Sequence, residues 1–162
     1  MDVAEALAIL EQGEGDARAM AVRWLGDHAP HAFTREHEAL LTDADLAVRA
    51  AATVVLRASA NLDRVQAARL ALRDMVTSPE LAVRHAGLRA AAGIANPTLA
   101  PRLLPFLDDP DPESRRLVLL ALAAVPHGLL APTLLRDHAE AALRDPDPGV
   151  RAAARTLLTT DD

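Results

Sequence analysis

The sequence predicts an all-α fold, a stack of about five helix pairs, and three observations carry that reading. The phrase "DADLAVRAAATVVL" at 43–56 returns as "DPDPGVRAAARTLL" at 145–158. An arginine anchors each copy, at Arg18, Arg49, Arg84, Arg115 and Arg151, and the intervals of 31, 35, 31 and 36 residues are the period of a two-helix repeat. Apolar residues after each anchor recur at helical spacing, and no stretch alternates as a strand does.

The five copies fall near 1–29, 30–59, 60–94, 95–126 and 127–162 of what reads as one domain. In the first, "EQGEGDAR" replaces the acidic turn, and Val3, Leu7 and Leu10 share one face, so Met1–Leu10 should be a docked helix. In the second, "HEALL" reads as helical, and Asp45 stands where an N-cap is needed before Ala51, Ala52, Val55 and Leu56. The third pairs "VQAARLALRDMV" with "SPELAVR", where Ser78 before Pro79 can cap one turn early. The fourth opens on "NPTLAPRLLPFL". Asn96 and Pro97 make a good start, but Pro101 and Pro105 forbid a long straight helix. Its second helix has Asp111 as cap and Pro112 at the first position, where a missing N–H costs nothing. In the fifth, Pro132 delays the first helix, Asp147 and Pro148 repeat the cap, and "TTDD" gives a polar finish. No copy can bury its apolar stripe alone, and stacked neighbours can. The phrase recurs because the packing problem recurs.

Composition narrows the function classes. Half of the 162 residues are apolar, which excludes a disordered chain. There is no cysteine, so neither a disulfide framework nor a thiolate zinc site is available. No apolar run approaches a membrane span and no signal peptide opens the chain, so a cytoplasmic protein, or a soluble piece of a larger one, is expected. The net charge of −6 argues against general nucleic-acid binding. Phe33, Phe106 and Trp24 are the only aromatics, too few for a base-stacking surface.

The motif "DPDPxVRxxA" resembles HEAT repeats, in particular the bacterial kind called PBS-lyase HEAT-like repeats, over nearly the whole chain. The likeness is strongest around Arg49, Arg84 and Arg151, weaker around Arg115, where Ser114 replaces the usual Val, and weakest around Arg18. It implies a right-handed α-solenoid whose second helices line a concave face.

Two sets of arginines follow. In HEAT-like families the anchor arginines usually cross to turn aspartates, so Arg18, Arg49, Arg84, Arg115 and Arg151 are expected to form a structural ladder; a ligand-binding ladder is the other reading. A second set, Arg23, Arg57, Arg89, Arg116 and Arg155, falls one, four, five or eight positions after an anchor and mixes with Val54, Leu119 and Leu120. Such an arginine-plus-aliphatic stripe would suit an acidic or amphipathic segment of another protein; an ordinary solvated face is the alternative.

Catalytic signatures are thin. His28 and His31 stand three apart in a turn, His37 lies between Glu36 and Glu38, and His85, His127 and His138 are scattered, with no paired-ligand spacing on one helix. Deoxyhypusine hydroxylases, which are HEAT-like, hold two irons through several His-Glu dipeptides; this chain has one, His37–Glu38. DNA-alkylation glycosylases need a basic groove with aromatics, whereas Trp24 aligns with the core position of Val55. Nothing marks a bilin-lyase chromophore site. Gly13 and Gly15 sit among acids that repel phosphate, and spacing picks out no Ser/His/Asp set. The expectation is a non-enzymatic, cofactor-free interaction scaffold that takes a protein partner on its concave face. The runner-up is a lyase-type or other enzyme module binding a small anionic ligand, and nucleic-acid binding is disfavoured.

Overall fold

The computed structural model describes residues 1–94, 97–126 and 132–159, and these contain helices and no strand. They form two compact units, Met1–Asp74 and Met75–Asp162. Asn96, His127 and all of "TTDD" beyond Thr159 lie outside the described residues.

In the first unit α1 (Val3–Gln12) packs on α2 (Gly15–His28), and α2 on α3 (Leu46–Arg57). The start of the chain is helical and docked, as its pattern predicts. Ala6 and Leu10 are buried, with Val3 and Leu7 against the same core. Asp2 and Glu5 close a reciprocal capping box, which satisfies two backbone donors that would otherwise lack partners. Gly15 opens α2 with a φ of +44°, a left-handed geometry that suits glycine and replaces the aspartate-proline turn of the later copies. The "HEALL" segment is a 3-10 helix, Arg35–Thr42, rather than an α-helix. It is held at its start by the Thr34 N–H donating to His37 Nδ1, and it still buries Leu40 and Leu41. Trp24 is half-buried against the core and stacks on the His28 ring, centroids 4.6 Å apart.

In the second unit α5 (Leu81–Ala92) packs on α7 (Pro112–Ala123), and α7 on α9 (Pro148–Thr159), with α8 (Pro132–Ala142) against α9. The proline-rich stretch is broken as expected: a 3-10 turn at Pro97–Leu99, the short α6 (Ala100–Leu103), then a 3-10 segment at Leu104–Asp108. α4 (Leu62–Val76) ends where Met75 and Val76 lie against Gly87 of α5. A Cβ at Gly87 would come within 2.7 Å of Met75 Cβ and 2.8 Å of backbone atoms, so this crossing requires glycine. Second helices lying side by side, one copy to the next, are the α-solenoid arrangement, and each unit has it.

The caps fall where the sequence puts them. Asp45 accepts from the N–H groups of Ala47 and Val48, Asp111 from Ser114, and Asp147 from Gly149 and Val150. α5 differs. Glu80 is its N-cap residue and makes no side-chain cap, while the Ser78 hydroxyl accepts from the Glu80 N–H.

Candidate functional site

Four of the five anchor arginines grip the turn that precedes them, while Arg18 donates to the Leu10 carbonyl in α1 at 3.1 Å. Arg49 donates to the Asp43 carbonyl at 2.9 and 2.7 Å, Arg84 to Ser78 at 2.8 Å, Arg115 to Asp109 at 2.7 Å and Arg151 to Asp145 at 2.7 Å. In each case the carbonyl lies six residues back along the chain. Three also reach a carboxylate in the following copy. Arg18 meets Asp43 at 3.2 and 2.7 Å, Arg84 meets Asp109 at 3.1 Å, and Arg115 meets Asp145 at 2.8 Å through two nitrogens. The Arg18 and Arg115 contacts are charge-assisted forks, that of Arg84 a single charge-assisted bond, and all lie between mostly buried side chains. Arg84 also lies over the Phe106 ring, 5.4 Å from its centroid.

The ladder sets the charge state of its members. Arg115 holds the Asp145 carboxyl below the usual carboxylate range against the opposing pull of burial, and Asp145 in turn raises the Arg115 guanidinium. Burial pushes the Asp43 carboxyl up, but Arg18, the Asp45 N–H and Arg49 together outweigh it and hold it low. The same balance holds at Asp111. Burial there is outweighed by the Ser114 N–H, by His85, whose Nε2 is 2.7 Å from Asp111 Oδ2, and by the Ser114 hydroxyl. These contacts lie at helix starts and between the turns of successive copies.

The second-helix face is a different surface. Helical phase places residues two before and one, five and eight after each anchor on one side. Five after the anchor stand Arg23 and Val54 in the first unit and Arg89 and Leu120 in the second. Arg23 and Arg89 are exposed; Val54 and Leu120 are half-buried. Arg57 is eight after its anchor and Arg116 one after. The remaining places on this side hold mostly small residues, among them Ala47, Ala50, Ala82, Ala92 and Ala123; Gly26 also falls here in phase but is packed against Val55 of α3.

Two members of the expected stripe are corrected. Leu119 is buried and is not part of this face. It stands four after its anchor, the place also taken by the buried Val22, Thr53 and Leu88. Arg155 occupies that same place in the last copy, where it is exposed but about one helical step of 100° away from the row. The other arginines are not equivalent either. Glu113 accepts from Arg89 at 3.1 Å and from Arg116 at 2.7 and 2.8 Å, and Arg116, with lesser help from Arg89, keeps the Glu113 carboxyl low. Sequence reasoning missed Glu113, although its position two before an anchor was the available signal. Arg57 is half-buried, and burial, with the nearby Arg69 adding to it, pushes its guanidinium down.

The other polar groups have structural partners or open surroundings. His28 donates through Nδ1 to the Trp24 carbonyl at 3.0 Å, and the Phe33 and His37 rings meet edge to face. Among the described residues no cluster of His, Asp and Glu could hold a metal ion. One cleft of about 160 Å³ lies beside the Arg115–Asp145 pair, lined also by Leu107, Leu119, His138 and Val150. That is below the usual volume of a small-molecule site, about 300–1,000 Å³. No described helix is long and apolar enough to cross a membrane.

Comparison with known proteins agrees with this architecture. A family model described as HEAT repeats matches residues 70–159, more than half of the 162-residue chain. The crystal structure of an engineered protein is similar over 99% of this chain and 79% of its own, with a TM-score of 0.57 and 20% identity, a likeness of fold alone. No curated protein sequence matches.

Proposed function

Since this chain belongs to the HEAT-repeat family, we propose that it is a non-catalytic scaffold that binds another protein on the second-helix face. The observation that carries the reading is the alternation of Arg23 with Val54, and of Arg89 with Leu120, at one helical position among small residues, mostly alanine. Small side chains let an incoming backbone approach closely. The aliphatics offer apolar contact and the arginines offer charge-assisted hydrogen bonds. A partner segment with acidic and apolar residues on one side complements this face, and on a chain of net charge −6 these arginines give the face local selectivity for it.

A small-ligand enzyme reading is less well supported. Its best location is the cleft at Arg115 and Asp145, and there the two charged groups are already spent on each other. We place the protein in the cytoplasm, in keeping with a cysteine-free chain.

The test starts from affinity capture with the full chain, followed by titration of the captured partner against wild type and against R23E and R89E variants. Weaker binding of both variants, with unchanged thermal melts, supports the face. Equal binding by all three proteins, with no dependence on salt, removes it.

A further inference from the structure

The two units carry the same binding element in different states, and Glu113 reveals the difference. In the second unit Glu113, second residue of α7, receives Arg89 from the preceding second helix. In the first unit the corresponding pair of positions is Ala47, second residue of α3, and Arg23 of α2. The α2 and α3 helices pack together as α5 and α7 do. Alanine stands where the carboxylate would be, and Arg23 is exposed and makes no hydrogen bond or ion pair among the described residues.

We infer that Arg23 and the surface around Ala47 and Val54 form an open carboxylate site, which takes an acidic side chain of a partner in the position that Glu113 fills internally in the second unit. This rests on the scaffold reading above and specifies where recognition occurs. Val54, half-buried, lies on the same side of α3 two turns beyond Ala47, about 10.5 Å of rise, where it offers an apolar contact to the same partner segment. Arg57 is one turn beyond Val54 along α3, about 4.5 Å of rise. Arg69 lies near enough to Arg57 to add a second positive charge there. Arg89 and Arg116, by contrast, already share a carboxylate and have less to offer. Binding is therefore weighted toward the first unit.

The internal pair also supplies the test. Ala47→Glu should give Arg23 its own carboxylate and close the site. A glutamate in the first turn of a helix is electrostatically favoured, so the variant should fold. The probe is a fluorescein-labelled helical peptide with Glu and Leu along one side, followed by anisotropy with the full chain, and thermal melts verify each variant. The expected result is binding by wild type, a loss of roughly tenfold in A47E, the worth of one charge-assisted contact, little change in the neutral isostere A47Q, and a smaller loss in the R89A/R116A double variant than in A47E. Wild-type affinity in A47E overturns the inference. If R89A/R116A then binds weakly, the second-helix face still stands as the docking surface and only its assignment to the first unit falls. A wild-type chain that does not bind the peptide overturns both.

Discussion

Arg115 and Asp145 face each other across two copies of the repeat through two hydrogen bonds of 2.8 Å, and the same guanidinium also holds the Asp109 carbonyl at 2.7 Å. One side chain thus ties its own turn to the next copy's turn. Both side chains are nearly buried, at 13% and 11% exposure, so removing either leaves its partner's charge poorly solvated. R115A should cost about 2–4 kcal/mol in urea unfolding of the full chain. R115K should fall between wild type and R115A, because an ammonium keeps the charge and loses the fork. Full stability in R115A would show that the ladder is decorative.

Acid should unfold the protein through these carboxylates. Asp43, Asp111, Glu113 and Asp145 all have folded-state pKa values below their ordinary ones. As pH falls, the unfolded chain binds protons first, so the contribution is complete above the unfolded carboxylate range of about 4 and is lost as pH drops through the lower folded values. Thermal melts should show these groups contributing a constant amount from about pH 7 to 5 and a steep loss below about pH 4. D145N should be less stable at neutral pH and lose less on acidification. An unchanged acid slope in D145N would contradict the assignment.

The missing cap of α5 is a repairable defect. Glu80 has φ −76° and ψ 118°, almost the backbone of Asp45 at −78° and 121° and of Asp111 at −80° and 119°. Only the longer side chain keeps it from capping. E80D should therefore raise stability by about 0.5–1 kcal/mol, read as a shift in the urea midpoint at constant slope. No gain would mean that the shared backbone geometry does not suffice for the cap.

At Gly87, helix propensity and packing oppose each other. Alanine gains about 1 kcal/mol in a helix interior, but here its Cβ would strike Met75 and backbone at 2.7–2.8 Å. Overpacking against backbone costs about 1–3 kcal/mol, so G87A should be destabilised despite the better propensity. A stabilised G87A would show that the α4–α5 crossing relaxes freely.

Much of this was legible in the sequence because the same physical problem is solved five times. The anchor arginines, the caps at Asp45, Asp111 and Asp147, the docked first helix and the proline-broken stretch at 97–108 all followed from local spacing and side-chain chemistry. What escaped depends on phase or on contacts between copies. Leu119 and Arg155 differ by one position from the exposed row, and one helical step turns a surface residue into a core residue. The capture of Arg89 by Glu113 joins residues 24 apart on neighbouring helices, which no single helix pattern can display. The 3-10 form of Arg35–Thr42 likewise lay beyond a periodicity that reads simply as helical.

The central claim is that the second-helix face receives a protein partner. The most direct measurement is a nuclear magnetic resonance titration of the isotope-labelled full chain with the captured partner, mapping the shifted backbone amides and arginine side chains. The account predicts shifts concentrated at Arg23, Ala47, Ala50, Val54 and Arg57, with smaller ones at Arg89 and Leu120. Shifts centred instead on Leu107, His138 and the Arg115–Asp145 pair, with the second-helix face silent, would contradict it.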